Sequence, residues 1–310
     1  TGPFEVTAED RIMNSKHRAT LFAAAIGLGA PLAALAAGQL DMTYGSGGYF
    51  ENSPVGIDFT TFDVADDGSV LAAGIGETDC AVTAVTADGA LDAAWGEDGL
   101  LRFPCLTALR PAVLRAADGR VIVAYAADNH TLVVSRFNQD ATLDTSFGAG
   151  GSAAITVPGL LYDTTRILAT STGHLWVVAT GSAGFGVRMN TDGTGAVTLA
   201  IANEWYPAGA PFDLRGLIEN DNGSVTAVLA GYTLSPGGAF RTDGLTLAHF
   251  NAENGLAVTS RFRWCSDDFR SPAIEVVGPY VYAAFNSSLR GCDVEGTVIR
   301  RYVGGDDDWG

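Results

Sequence analysis

The chain has 310 residues, 47% of them apolar, 39 glycines, and a net charge of −17. That apolar content supports a packed core and argues against disorder, while so acidic a surface repels phosphate backbones and excludes nucleic acid as a natural partner. Lys16 is the only lysine, and Val, Thr, Gly and Ala outnumber the helix formers, which favours strands and turns.

In chain order, residues 1–12 precede Met13 and read as an upstream extension. Residues 13–36 carry the pattern of a secretory signal peptide. Lys16, His17 and Arg18 form a basic region, Ala19 to Leu35 an apolar run, and Ala34-Leu35-Ala36 a small-residue cleavage site. Cleavage is expected after Ala36, with Ala37 as the neighbouring alternative. The run is short for a membrane span and contains Pro31, which argues against an anchor. No other stretch is long and apolar enough to span a membrane, so the mature chain from residue 37 is expected to be secreted, periplasmic or at the cell surface, as a monomer.

The mature chain opens on Leu40-Asp41-Met42-Thr43-Tyr44-Gly45-Ser46-Gly47-Gly48. The same phrase returns as Leu91-Asp92-Ala93-Ala94-Trp95-Gly96-Glu97-Asp98-Gly99 and as Leu143-Asp144-Thr145-Ser146-Phe147-Gly148-Ala149-Gly150-Gly151. The copies lie 51 and 52 residues apart, a period typical of propeller blades. A turn glycine before an apolar strand recurs on nearly the same period, at Gly68, Gly119, Gly173, Gly223 and Gly278. The strands after these glycines are apolar on both faces, as expected where sheets stack face to face. A third landmark is a strand ending in a basic residue, at Arg136, Arg188, His249 and Arg300-Arg301. Asp88-Gly89 and Asp192-Gly193 follow such strands and suit tight hairpin turns. Each unit therefore reads as four strands: an inner A, the glycine turn, then B, C and an outer D that the Leu-Asp phrase opens. Later copies lose the phrase, with Gly195-Ala196 and Gly255-Leu256 in its place.

The glycine-turn strand and the Leu-Asp-x-x-aromatic-Gly phrase together resemble the delta-60 repeat family of bacterial sequences. The resemblance covers residues 39–310, is clearest in the first two repeats and is degenerate after residue 190. It implies a β-propeller and no particular activity.

The expected fold is thus all-β: a single propeller domain over residues 37–310 with five four-stranded blades of about 54 residues each. The chain ends on Asp306-Asp307-Asp308-Trp309-Gly310, the core of one more phrase. The N-terminal strand at residues 40–50 is expected to pair with the strand Val298–Tyr302 and close the ring, which would remove the exposed sheet edges. The competing expectation is a chain that continues into further blades.

Four cysteines fit an oxidising compartment. None has metal-ligand spacing, and the default pairing is Cys80 with Cys105 and Cys265 with Cys292. Ten residues before each turn glycine stand Asp58, Leu109, Asp163, Asp213 and Asp268, with Arg110, Arg166, Arg215 and Arg270 within three residues of them. In a propeller these positions fall around one mouth of the central channel. The carboxylates either bind a polar ligand or a cation such as calcium, or cap turns and pair with arginines. No other cofactor is expected. The loops bearing the cysteines fall on the same face. There is no nucleophile elbow, His-x-x-x-His pair or phosphate loop. The function expected is that of an exported, non-enzymatic binding or scaffold protein that meets a protein, glycan or envelope partner through this face. The alternatives are a carbohydrate-active hydrolase or lyase using two channel-mouth carboxylates, and a structural module of a larger surface protein.

Overall fold

The computed structural model describes residues 41–50, 56–159, 161–181, 184–201, 212–220, 223–234, 240–250, 257–263, 273–277, 280–287 and 296–303. The expected signal at residues 13–36 lies outside them, as do Cys265, Asp268, Arg270 and Cys292. Every regular element described is a β-strand, and the strands form five antiparallel sheets in sequence order. Sheet I is β1 (Asp58–Val64), β2 (Val70–Ile75), β3 (Cys80–Val85) and β4 (Leu100–Phe103). Sheet II is β5 (Ala112–Arg115), β6 (Val121–Asp128), β7 (Thr131–Phe137) and β8 (Ser152–Thr156). Sheet III is β9 (Leu161–Ala169), β10 (His174–Gly181), β11 (Phe185–Asn190) and β12 (Val197–Ala200). Sheet IV is β13 (Phe212–Glu219), β14 (Val225–Leu234), β15 (Phe240–Phe250) and β16 (Ala257–Arg263). Sheet V has three strands, β17 (Ala273–Val277), β18 (Tyr280–Ser287) and β19 (Gly296–Val303).

The repeat landmarks keep one register. The first residue of the second strand pairs Val70 with Val85 and Val121 with Phe137, and the equivalent pairs are Leu175 with Met189 and Val225 with Phe250. Successive side chains of a strand point to opposite faces, and here both faces are covered. In β10, Leu175, Val177 and Ala179 pack on sheet II, while Trp176 and Val178 pack on sheet IV. In β6, Ile122 and Ala124 face sheet III, while Val121 and Val123 face sheet I. Burial on both faces accounts for the unbroken apolar runs.

The first strands of consecutive sheets lie side by side, β1 with β5, β5 with β9, β9 with β13 and β13 with β17. Polar ties join them. The Thr61 hydroxyl donates to the Pro111 carbonyl at 2.8 Å, and the Arg115 amide donates to the Asp63 carboxylate at 2.6 Å. Further along, the Arg110 amide donates to the Asp163 carbonyl at 3.0 Å.

The Leu-Asp phrase precedes the outer strand as a compact turn rather than forming it, and its role is between sheets. The Gly45 amide donates to the Asp88 carbonyl of the sheet I turn at 2.7 Å, and the Gly148 amide donates to the Asp192 carbonyl of the sheet III turn at 2.8 Å. In these two contacts the turn glycine opposite has no room for a side chain: a Cβ on Gly193 would lie 2.9 Å from the Gly148 nitrogen, and one on Gly89 closer still to the Gly45 nitrogen. An ion network supports the contact between sheets II and III. Arg136 bonds Asp144 and the Ser146 hydroxyl, stacks over the Phe147 ring and reaches the Thr191 carbonyl, and Arg120 bonds Asp144 and Asp118.

The expected ring closure is not observed. Residues 41–50 form a turn bridged from Gly45 to Tyr49 and bonded to the sheet I turn, with no pairing to β19 among the described residues. The reason is conformational: Gly45, Gly47 and Gly48 adopt left-handed backbone angles, which suit a turn rather than a strand.

Two outcomes follow. Replacing the buried Arg136 with Met removes its bonds to Asp144, Ser146 and the Thr191 carbonyl while Asp144 keeps Arg120, and should cost about 2 kcal/mol in urea unfolding, the range for hydrogen bonds to a charged group. The Asp144 carboxyl is held well below the usual carboxylate range, first by the Ser146 hydroxyl and then by Arg120. A carboxyl depressed in the folded state stabilises above its unfolded pKa and loses that effect as pH falls through the folded value. Thermal midpoints measured from pH 7 downward should therefore begin to lose this contribution below about pH 4, and Asp144→Asn should flatten that loss.

Candidate functional site

The two ends of the sheets differ. One end carries the glycine turns and the Leu-Asp phrases, which tie sheet to sheet. The other carries the loops between second and third strands and the connections from each outer strand to the next sheet. In sheet I this second end gathers Asp58, Ile75, Cys80 and Phe103, which lie across from one another in the ladders.

Cys80 and Cys105 form a disulfide that encloses 25 residues of separation, the first of the two pairings expected. Beside it Arg102 forms a salt bridge with Asp79 at 2.9 Å, and the Gly76 amide closes the intervening turn on the Asp79 carbonyl at 2.8 Å. Phe103 stacks against Tyr125 of sheet II with ring centroids 4.7 Å apart. In sheet II the Asp128 carboxylate accepts the His130 amide and the Thr131 hydroxyl. The His130 amide, then the Thr131 hydroxyl, hold its pKa below the usual range.

The channel-mouth residues fall as follows. Asp58 is exposed at the start of β1, opposite Ile75. The backbone of Asp213 holds the same register in β13, opposite Ala230, and its side chain lies outside the described residues. Asp163 is half-buried and accepts the Thr164 hydroxyl at 3.2 Å, near a β-bulge that shifts its register. Leu109, which stands where the other units have Asp, is fully buried in the core. Arg110 is exposed, and its backbone meets Asp163 and Thr164 of the next sheet in a parallel bridge. Arg215 is half-buried at the bulge of β13. Among the described residues no three His, Cys, Asp or Glu side chains come together as a metal site.

Some polar residues were not singled out from the sequence. Asp63 takes the Arg115 amide, and Glu219 takes both the amide and the hydroxyl of Ser171 from the neighbouring sheet. The Asp79–Arg102 pair was legible in retrospect, since Asp79 adjoins Cys80 and Arg102 lies three residues before Cys105. His249 occupies the strand slot of Arg136 and Arg188, and contacts Asn220 and Thr226, each at 3.2 Å. It belongs to a buried polar cluster at a glycine turn rather than to the loop face. Carboxyls at Asp118, Asp128, Asp140, Asp144 and Asp192 are all shifted downward. They are built as ionised hydrogen-bond acceptors, not as proton donors.

No protein-family model matches the chain, and comparison with curated proteins yields no match. Solved structures do resemble it. Drosophila Semaphorin 2a is 10% identical with a TM-score of 0.52, over 80% of this chain and 48% of that one. A GH43 glycoside hydrolase engineered for endo-xylanase and exo-arabinofuranosidase activity is 13% identical with a TM-score of 0.38, over 78% of this chain and 50% of that one. The β-propeller domain of Cps50 (Swd1) from Myceliophteria thermophila is 8% identical with a TM-score of 0.42, over 79% and 72%. This chain thus spans about half the length of the first two. At such identities the likeness to Semaphorin 2a is one of fold alone, and the strands themselves show an all-β array of antiparallel sheets, four strands in each but the last.

Opening the Cys80–Cys105 loop, by reduction or by Cys80→Ser with Cys105→Ser, should lower the unfolding free energy by roughly 3.5 kcal/mol, the chain-entropy value for a loop of this size. Denaturant titration with and without reductant measures it.

Proposed function

We propose that this protein is an exported, non-enzymatic binding or scaffold propeller whose disulfide-bearing loop face meets a protein, glycan or cell-envelope partner. The observation that carries this reading is the double fastening of that face. Asp79–Arg102 ties the turn before β3 to β4, and Cys80–Cys105 ties the first residue of β3 to the connection after β4. Loops on a rigid scaffold are where recognition is concentrated, and fixing them before binding reduces the entropy lost on association. The disulfide favours an oxidising compartment, in keeping with a secreted or periplasmic protein.

The same reading extends to architecture: a propeller of five blades. Sheet V has three strands, one fewer than the others. On β1, Phe62 and Val64 are 73% and 55% exposed, the apolar positions that a sheet at the other end of the series would cover.

The test is capture. The wild-type protein immobilised on a surface is presented with glycan panels and with solubilised envelope extract. Capture should be lost in Arg102→Glu and in Cys80→Ser with Cys105→Ser, and kept in Asp118→Asn on the opposite face. Capture that survives both loop-face variants removes this face from the reading.

A further inference from the structure

Three copies of the Leu-Asp phrase each meet the turn of the following sheet, so the molecule contains its own controlled comparison. Two of the contacts are closed by the Gly45–Asp88 and Gly148–Asp192 hydrogen bonds. The middle one, between the sheet I phrase at residues 91–99 and the sheet II turn at residues 138–142, is not: the Gly96 amide and the Asp140 carbonyl, the equivalent pair, do not bond. The turns themselves match. In each, the first residue's amide bonds the fifth residue's carbonyl, from Thr86 to Ala90, Asn138 to Thr142 and Asn190 to Thr194.

Four differences converge on the middle seam. First, the turn position filled by Gly89 and Gly193 is Ala141. A Cβ at either glycine would press on the phrase backbone, and at residue 141 a real methyl lies there, 3.4 Å from where a Cβ on Gly96 would be. Second, Asp98 stands where the other phrases have Gly47 and Gly150. Asp98 and Ala141 are the two non-glycine residues with left-handed backbone among those described, at φ 52° and 66°, and they lie on opposite lips of one seam. Third, Glu97, Asp98 and Asp140 line one groove at the seam, whereas the phrase positions of Glu97 and Asp98 are the uncharged Ser46 and Gly47 in the first copy and Ala149 and Gly150 in the third. Like charges at the lips repel. Fourth, the Arg136 side chain that crosses to Thr191 at the next seam has Ala84 as its counterpart in sheet I.

A groove of about 670 Å³ lies at this seam, lined by Glu97, Asp98, Arg102, Asp140, Ala141 and their neighbours. Its carboxylates do not form a metal cluster. Below the rim, Trp95 and Ala141 belong to one apolar cluster, and the Thr61–Pro111 and Asp63–Arg115 ties join the inner strands.

We propose that the seam between sheets I and II is the opening point of the array: its rim parts while the inner strands act as the hinge, and the Ala141 methyl keeps the rim unlatched. The device is local, since the next seam carries both its latch and the Arg136 bridge.

Amide hydrogen exchange of the full chain, corrected for intrinsic rates, tests this. Gly96 should show protection about tenfold lower than Gly45 and Gly148, the upper range for one net backbone hydrogen bond. Ala141→Gly, and Ala141→Gly combined with Asp98→Gly, should raise Gly96 to the level of the other two and raise the thermal midpoint. Gly193→Ala should lower Gly148 toward the native value of Gly96. If Gly193→Ala does not fold, the Ala141→Gly comparison decides alone. Native Gly96 protection equal to that of Gly148, or no change at Gly96 in Ala141→Gly, overturns the proposal.

Discussion

A β-sheet that is apolar on both faces cannot stand alone in water, and this requirement organises the whole molecule. Trp176 and Val178 on one side of β10, and Leu175 and Val177 on the other, leave sheet III without a wet face. Each interior sheet must therefore find a neighbour on both sides. Shared clusters join sheet I to II, II to III and III to IV. Stacking of this kind is non-directional, so it fixes that sheets pack but not how far each turns on the next. The polar ties supply that angle: Asp63 with the Arg115 amide and Glu219 with Ser171 near the inner strands, and the glycine latches with Arg136 farther out.

The division of labour between the two ends follows from these ties. Phrases, glycine turns and most of the depressed carboxyls crowd one end, where charge and backbone bonds hold sheet against sheet. The opposite end is left to loops, and there sheet I adds a covalent bond and an ion pair instead. The substitutions at Asp98 and Ala141 show how finely the other end is set. Ala141, Asp98, Glu97 and Ala84 together distinguish the seam that lacks the amide–carbonyl bond from its counterparts.

Sequence reading went far where the signal was local or periodic. The glycine turns, the paired strand register and the Cys80–Cys105 bond all follow from spacings within one repeat. It stopped where a contact depends on how the chain folds back on itself or on the next sheet. Arg136 and Asp144 were each recognised as landmarks, but their ion pair depends on the phrase folding back on its own strand, and the reach to Thr191 on the next sheet lying alongside. The expected strand at residues 40–50 failed for a related reason. The left-handed backbone of Gly45, Gly47 and Gly48 makes a turn that docks on residues 86–90. The channel-mouth positions were intermediate. Asp58 and Asp213 share one register, while a bulge displaces Asp163, and no spacing count reveals a bulge.

What the amino-acid sequence determined by itself is the repeat: all-β units of about 50 residues, each with its turn glycine and two-faced apolar strands, because those properties are encoded by neighbours along the chain. What the tertiary structure decided is how the units hold one another. That rests on whether a backbone amide in one sheet meets a carbonyl in the next, and the outcome turns on the few tenths of an ångström taken up by a side chain such as the Ala141 methyl, which only packed neighbours can register.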